Sequence, residues 1–142
     1  MRRVDDYMNY ENPEMLSGFK KKSFSLPYGG GEIWFEHLDS LYDNADLVLE
    51  KLNSDRQIFC RPSCPSMIGF VLDETVITKE IVEAIADVLL NSSKIFLRVC
   101  FIGSDRKTER ALRSALLSKT FFLAFINDFE KAKEWFVKQI CK

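Results

Sequence analysis

Three short apolar runs in the carboxyl-terminal half constrain this chain most: Gly69-Phe-Val-Leu-Asp73, Ile95-Phe-Leu-Arg-Val-Cys-Phe-Ile-Gly103 and Phe121-Phe-Leu-Ala-Phe-Ile126. Continuous runs of this length, without polar alternation, read as strands buried on both faces. A parallel sheet buries its strands in that way, because the helices that connect them cover it. Helical spacing follows each run. After Thr78 the stripe is Ile81, Ile85, Val88 and Leu89, closed by Asn91-Ser-Ser93; after Gly103 it is Ala111, Leu112, Ala115 and Leu116. After Asn127 or Asp128 as cap it is Phe129, Ala132, Phe136 and Ile140.

The amino-terminal half adds a hairpin. Phe24 and Leu26 alternate in a strand pattern that ends at Pro27-Tyr28, Gly29-Gly-Gly31 makes the turn, and Glu-Ile-Trp-Phe-Glu-His-Leu supplies the second strand. Pro27 lacks an N–H for a ladder, which assigns the first strand to a sheet edge. Trp34 and Phe35 point to opposite faces and are expected in the core. Asp39 is the expected cap of a first helix with Leu41, Ala45, Leu49 and Leu52 inward, ended by Asn53-Ser-Asp55; Ile58-Phe-Cys60 is then a short extension before a loop with Pro62 and Pro65. The expected order is β-β-α-β-α-β-α-β-α: an α/β fold with a mixed, mostly parallel sheet, an amino-terminal hairpin and about four helices. Residues 1–19 read as a polar tail or loosely docked arm in which residues such as Phe19 can still pack, and residues 20–142 as a single domain, consistent with ordinary domain sizes.

Composition excludes several classes. With 46% hydrophobic and 29% charged residues, the chain has the balance of a globular protein. Lys and Arg total 20 against 21 Asp and Glu, so no overall field draws it to nucleic acid or an anionic surface. Lys20-Lys-Lys22 is too short to change this and reads as a solvated strand edge. No apolar run approaches the roughly 20 residues that a bilayer-crossing helix needs. The first twenty residues carry Asp5, Asp6, Glu11 and Glu14 and lack the pattern of an export signal, so the expected location is cytoplasmic. The four cysteines, Cys60, Cys64, Cys100 and Cys141, are then reduced thiols, with Cys100 acting as a small buried hydrophobe.

Motifs for chemistry are sparse. Cys60-Arg-Pro-Ser-Cys64 offers two thiols, but zinc needs further ligands and His37 is the single histidine. A redox or reactive thiol pair, with Arg61 nearby, stays open beside incidental loop cysteines. A hydrolase pairing of Cys60 or Cys64 with His37 is weaker than a hydrogen-bonded structural histidine. Gly103-Ser-Asp-Arg-Lys-Thr108 places helix-start amides and two basic side chains at a strand's carboxyl end, where open α/β sheets bind ligands. It has neither Walker spacing nor a dinucleotide fingerprint, so a capped helix with a solvated basic face competes with a phosphate site. Trp135 lies off the inner stripe of its helix and is a contact residue if exposed.

The element order, the strands Phe70-Val-Leu-Asp73 and Leu97-Arg-Val-Cys-Phe-Ile-Gly103, the following Ser104, Arg106, Arg110 and Leu112, and the segment Phe125-Ile-Asn-Asp-Phe-Glu-Lys-Ala132 resemble the STAS family of anti-sigma-factor antagonists and sulfate-transporter domains. The resemblance covers about Lys20 to Val137. It implies a non-catalytic, cytosolic interaction or regulatory domain without a cofactor, whose surface includes the Asp73–Thr78 loop, the second helix and Gly103 to Lys107. Antagonists of that family are switched by phosphorylation in an Asp-Ser-Ser-Gly-like segment. The matching region here, Asp73-Glu-Thr-Val-Ile-Thr-Lys-Glu80, lacks that motif and leaves Thr75 and Thr78 as candidate phospho-acceptors, opposed by Glu74 and Glu80. The resemblance implies a protein partner, with a homodimer open; the candidate ligand or partner residues are Asp73, Glu74, Gly103, Ser104, Asp105, Arg106 and Lys107. A small nucleotide- or phosphate-binding protein or enzyme using the same strand ends is the alternative.

Overall fold

The computed structural model describes residues 22–138. The amino-terminal arm, Lys20 and Lys21, Ile140 and Cys141 lie outside the described residues. Among the described residues five strands and four helices follow in the expected order: β1 (Phe24–Tyr28), β2 (Gly31–His37), α1 (Ala45–Phe59), β3 (Met67–Val71), α2 (Lys79–Asn91), β4 (Arg98–Ile102), α3 (Arg106–Ala115), β5 (Phe122–Ile126) and α4 (Phe129–Val137). The sheet order is β1-β2-β3-β4-β5. The β1–β2 pair is antiparallel and the other pairs are parallel. Gly29 and Gly30, with φ of 57° and 86°, form the two-residue turn that closes the hairpin, a geometry open to glycine at both positions. Pro27 lies on an edge strand, where its missing donor costs no ladder bond.

Right-handed crossovers that always step in one direction leave successive helices on one side of a sheet. Accordingly α1, α2 and α3 share a core with Trp34, Ile68, Phe70, Val99 and Phe101. The opposite face, with Ile33, Phe35, Val71, Cys100 and Ile102, is covered by α4 through Ala132 and Phe136. Gly69 makes that second contact fit: a Cβ there would lie 3.1 Å from the Phe35 ring and 3.2 Å from the Phe136 ring. Trp34 and Phe35 are both buried, on opposite faces. Trp135 is half-buried, stacked edge-on against Phe136 and beside the Arg98 guanidinium, which donates to the carbonyls of Trp135, Phe136 and Lys138 and so caps α4.

Several local expectations are corrected. Asp39 does not cap the first helix; it is buried and bonded to His37 Nδ1 at 2.9 Å, and Asn44 holds the cap position. That helix does not end at Asn53-Ser-Asp55 but runs on to Phe59, because the fully buried Phe59 ring extends the inner stripe of Val48 and Leu52 while Asp55 is tied to Lys51. Leu41 is buried ahead of the helix, and Lys51, one turn before Asp55, is buried within it. The fourth strand begins at Arg98, leaving Ile95 and Leu97 exposed. Ala111 faces outward; Thr108, Leu112 and Leu116 carry the inner stripe of α3. β5 is only partly buried, since no strand lies beyond it among the described residues.

Candidate functional site

The two loops singled out from the sequence meet at the carboxyl ends of β2, β3 and β4. Beyond those strands the chain keeps pairing through loop backbone. Leu38 N–H donates to the Val71 carbonyl, Ser40 N–H to Asp73, Tyr42 N–H to Glu74 and Val76 N–H to Tyr42, all at 2.7–3.0 Å. The Thr75 hydroxyl fastens the two segments, donating to the Leu38 carbonyl at 2.6 Å and accepting from Leu41 N–H at 3.1 Å.

Backbone strain collects here. Among the described residues, the non-glycine positions with positive φ are Ser40, Tyr42 and Glu74, at 59°, 54° and 58°. Left-handed geometry costs such residues of order 1–3 kcal/mol each and persists where the surroundings impose it. Gly103, at φ 82°, completes the group, and a side chain there would run into the Asp73 carboxylate.

The result is a cleft of about 730 Å³. Tyr42, Val76 and Ile77 provide apolar wall, and Asp43, Glu74 and Asp105 provide negative charge. Val76 is 56% exposed and Tyr42 47%. Thr75, Gly103 and Ser104 also line the cleft. Arg106 and Lys107 are exposed on the first turn of α3 and do not line it, so the lining charge is acidic. Asp105 caps α3 by accepting from Thr108 N–H at 2.7 Å. That bond, aided by the Thr108 hydroxyl, holds its carboxyl below the usual range and keeps it anionic. The Thr78 hydroxyl caps α2 through Ile81 N–H at 3.3 Å. Phosphate on Thr75 would break its bonds to Leu38 and Leu41, and phosphate on Thr78 would replace the cap. Val76 and Ile77 lie within the Asp73–Thr78 loop, whereas Tyr42 and Asp43 were not legible as lining residues, since the long-range pairing of loops brings them in.

The other sequence candidates fall elsewhere. His37 pairs with Asp39 and stacks on Phe24 at 5.5 Å, on the α4 side, whereas Cys60 packs against the three-helix core. The sheet separates them. Cys64 lies in a turn, and its carbonyl and that of Arg61 accept from Lys94 Nζ at 2.6 and 2.7 Å. Burial pushes the Cys100 thiol up to about 12, which leaves it a protonated core side chain at neutral pH. Among the described residues no group of three His, Cys, Asp or Glu side chains could hold a metal ion, and no helix is long and apolar enough to cross a membrane.

One polar cluster was not anticipated. Ser23, Lys51 and Asp55 join beside Trp34 and the fully buried Glu36. The available signal was faint: Lys51 and Asp55 are four apart on a helix, and Trp34 and Glu36 share one strand face.

The fold and cleft define an α/β protein with an acidic, partly apolar recess at the strand ends. Comparison with family models, curated proteins and solved structures returns no match for this chain.

Proposed function

We propose that the chain is a non-catalytic protein-interaction or regulatory domain of STAS-like form, which holds a partner segment in the strand-end cleft. The observation that carries this reading is the convergence of Tyr42, Glu74 and Gly103, all left-handed, on a cleft with apolar walls and three acidic groups, with left-handed Ser40 on the paired segment beside them. Strain concentrated in one place is a mark of a functional surface. Charge complementarity selects the occupant: an extended partner segment that presents Lys or Arg beside apolar side chains. An anionic ligand would meet Asp43, Glu74 and Asp105 in the same space. The strand order supports the same choice, because it never reverses among the described strands and so opens no crevice between oppositely wound halves, where nucleotides bind in doubly wound sheets. A cytoplasmic setting and control by phosphate at Thr75 or Thr78 belong to this reading. At Thr75 the modification would act by unfastening the two cleft segments.

The test uses two synthetic peptides, one alternating Lys with Leu and one alternating Glu with Leu, titrated into the full chain by fluorescence anisotropy. The Lys peptide binds, weakens as salt rises, and loses at least tenfold in affinity to Asp43→Lys and to Val76→Asp. Equal binding of both peptides, preference for the Glu peptide, or indifference to the two substitutions overturns the proposal.

A further inference from the structure

Glu36 occupies an unusual place. In register across the sheet it is followed by Phe70, Phe101 and Phe125. Those three rings stack at centroid distances of 5.1 and 5.3 Å. A carboxyl thus stands at the end of an aromatic row, beneath α1 and fully buried. Oε1 accepts from Trp34 Nε1 at 3.0 Å. No donor among the described residues reaches Oε2, and the polar group facing Glu36 from α1 is the Asp55 carboxyl.

Among the described residues the charges around it are few. Asp55 Oδ2 accepts from Ser23 Oγ at 2.9 Å and from Lys51 Nζ at 3.1 Å. Ser23 Oγ in turn accepts from Lys51 Nζ and from His37 N–H. From α1 the titratable groups facing Glu36 are therefore Asp55 and Lys51. From its own strand comes the Trp34 indole, and β3 contributes the uncharged Phe70. Lys22 and Glu50 line the adjoining cleft of about 370 Å³, which also reaches Ser23, Lys51 and Asp55. The His37 ring lies on the other face, against Phe24.

Two carboxylates and one ammonium would leave an excess negative charge in a largely buried seam and one acceptor facing another. A single proton removes both faults. We propose that Glu36 is held as the neutral acid, donating its Oε2–H to Asp55, and that loss of this proton loosens the seam between α1 and the β1–β2 hairpin as pH rises. The pair then carries one negative charge, matched by Lys51, and both Glu36 oxygens have a partner. Burial pushes the Glu36 carboxyl well up from its ordinary value, and the bond to Asp55 and its charge push the same way; Trp34 and Lys51 oppose them.

The sign follows. A carboxyl raised on folding contributes stability that is whole below its unfolded pKa and is lost as pH climbs through the folded one. Each unit of elevation is a tenfold change in the folding equilibrium across that window. Ser23 Oγ, Lys51 and Asp55 line the cleft, which gives the proton a route to water. This device stands apart from the strand-end cleft and does not rest on the partner reading.

The test compares the full chain with Glu36→Gln. The amide copies the neutral acid, since its oxygen can accept from Trp34 and its nitrogen can donate to Asp55. Urea denaturation is followed from mildly acidic to alkaline pH, and the Glu36 side-chain carboxyl carbon of the wild type is titrated by NMR. The carboxyl carbon titrates well above the free-glutamate range, wild-type stability declines through the same window, and Glu36→Gln removes at least a tenfold share of that decline. A carboxyl carbon that titrates at or below the free-glutamate range overturns the proposal, and needs no variant to fold. So does a Glu36→Gln profile parallel to that of the wild type.

Discussion

The two faces of the sheet are covered in different ways. On one, three helices and the Phe59, Phe70 and Phe101 rings form a broad core into which Glu36 and Lys51 are also drawn. On the other, among the described residues, one nine-residue helix is held by the Phe129 and Phe136 contacts with Phe35, the gap at Gly69 and the Arg98 cap. The broad face distributes its stabilisation over many contacts, whereas the narrow one concentrates it in a few. Damage on the first should spread through the protein; damage on the second should stay with α4.

The largest test of this contrast is Phe70→Ala. The fully buried ring packs between Phe59 and Phe101, and its loss costs about 3–5 kcal/mol, seen as a lower urea midpoint and faster hydrogen exchange across α1, α2 and α3 together. Exchange confined to β3 would break the comparison. Gly69→Val is the opposite kind of change. Its side chain meets Phe35 and Phe136 in a filled space, and overpacking costs about 1–3 kcal/mol. Faster exchange should appear first in α4, with the amides of α2 protected as in the wild type. Asp105→Ala is the smallest, ~1 kcal/mol or less for an exposed helix cap on the broad face. The Asp105 carboxyl is held low in the folded chain, so its contribution is present above the ordinary aspartate pKa and disappears as pH falls through the folded value. The stability gap between wild type and variant should close in acid; a gap that widens there would contradict the cap assignment.

How far the sequence revealed this can be traced to individual residues. The strands and their alternation with helices followed from Phe70-Val-Leu and Val99-Cys-Phe-Ile, because burial on both faces removes polar alternation. The Thr78 and Asp128 caps were legible because capping is local: the side chain bonds an amide two or three residues on. The end of α1 was misjudged for the converse reason. Asn53, Ser54 and Asp55 look like a stop in isolation, and it takes the non-local contacts of Asp55 with Ser23 and of Phe59 with Trp34 to carry the helix past them. The strand-end cleft was half legible. Glu74 and Asp105 sit beside recognisable strand ends, but Tyr42 and Asp43 enter through backbone pairing with residues more than thirty positions away, as between Tyr42 and Thr75. Glu36 left only a faint trace, the strand face it shares with Trp34. Nothing near it in the chain announces that a helix will place Asp55 against it.

The unbroken strand order has a consequence for how the protein is made. As synthesis proceeds from β1 towards β5, each new strand adds at one growing edge, and none must be threaded between two that are already paired. The three-helix face can therefore assemble in step with the ribosome. α4 is the exception, since its Phe129 and Phe136 return across the sheet to Phe35, about a hundred residues back. Until that helix emerges, the apolar surface of Ile33, Phe35 and Val71 has no cover from it, which makes the nascent chain most exposed to aggregation and chaperone capture just before α4 appears.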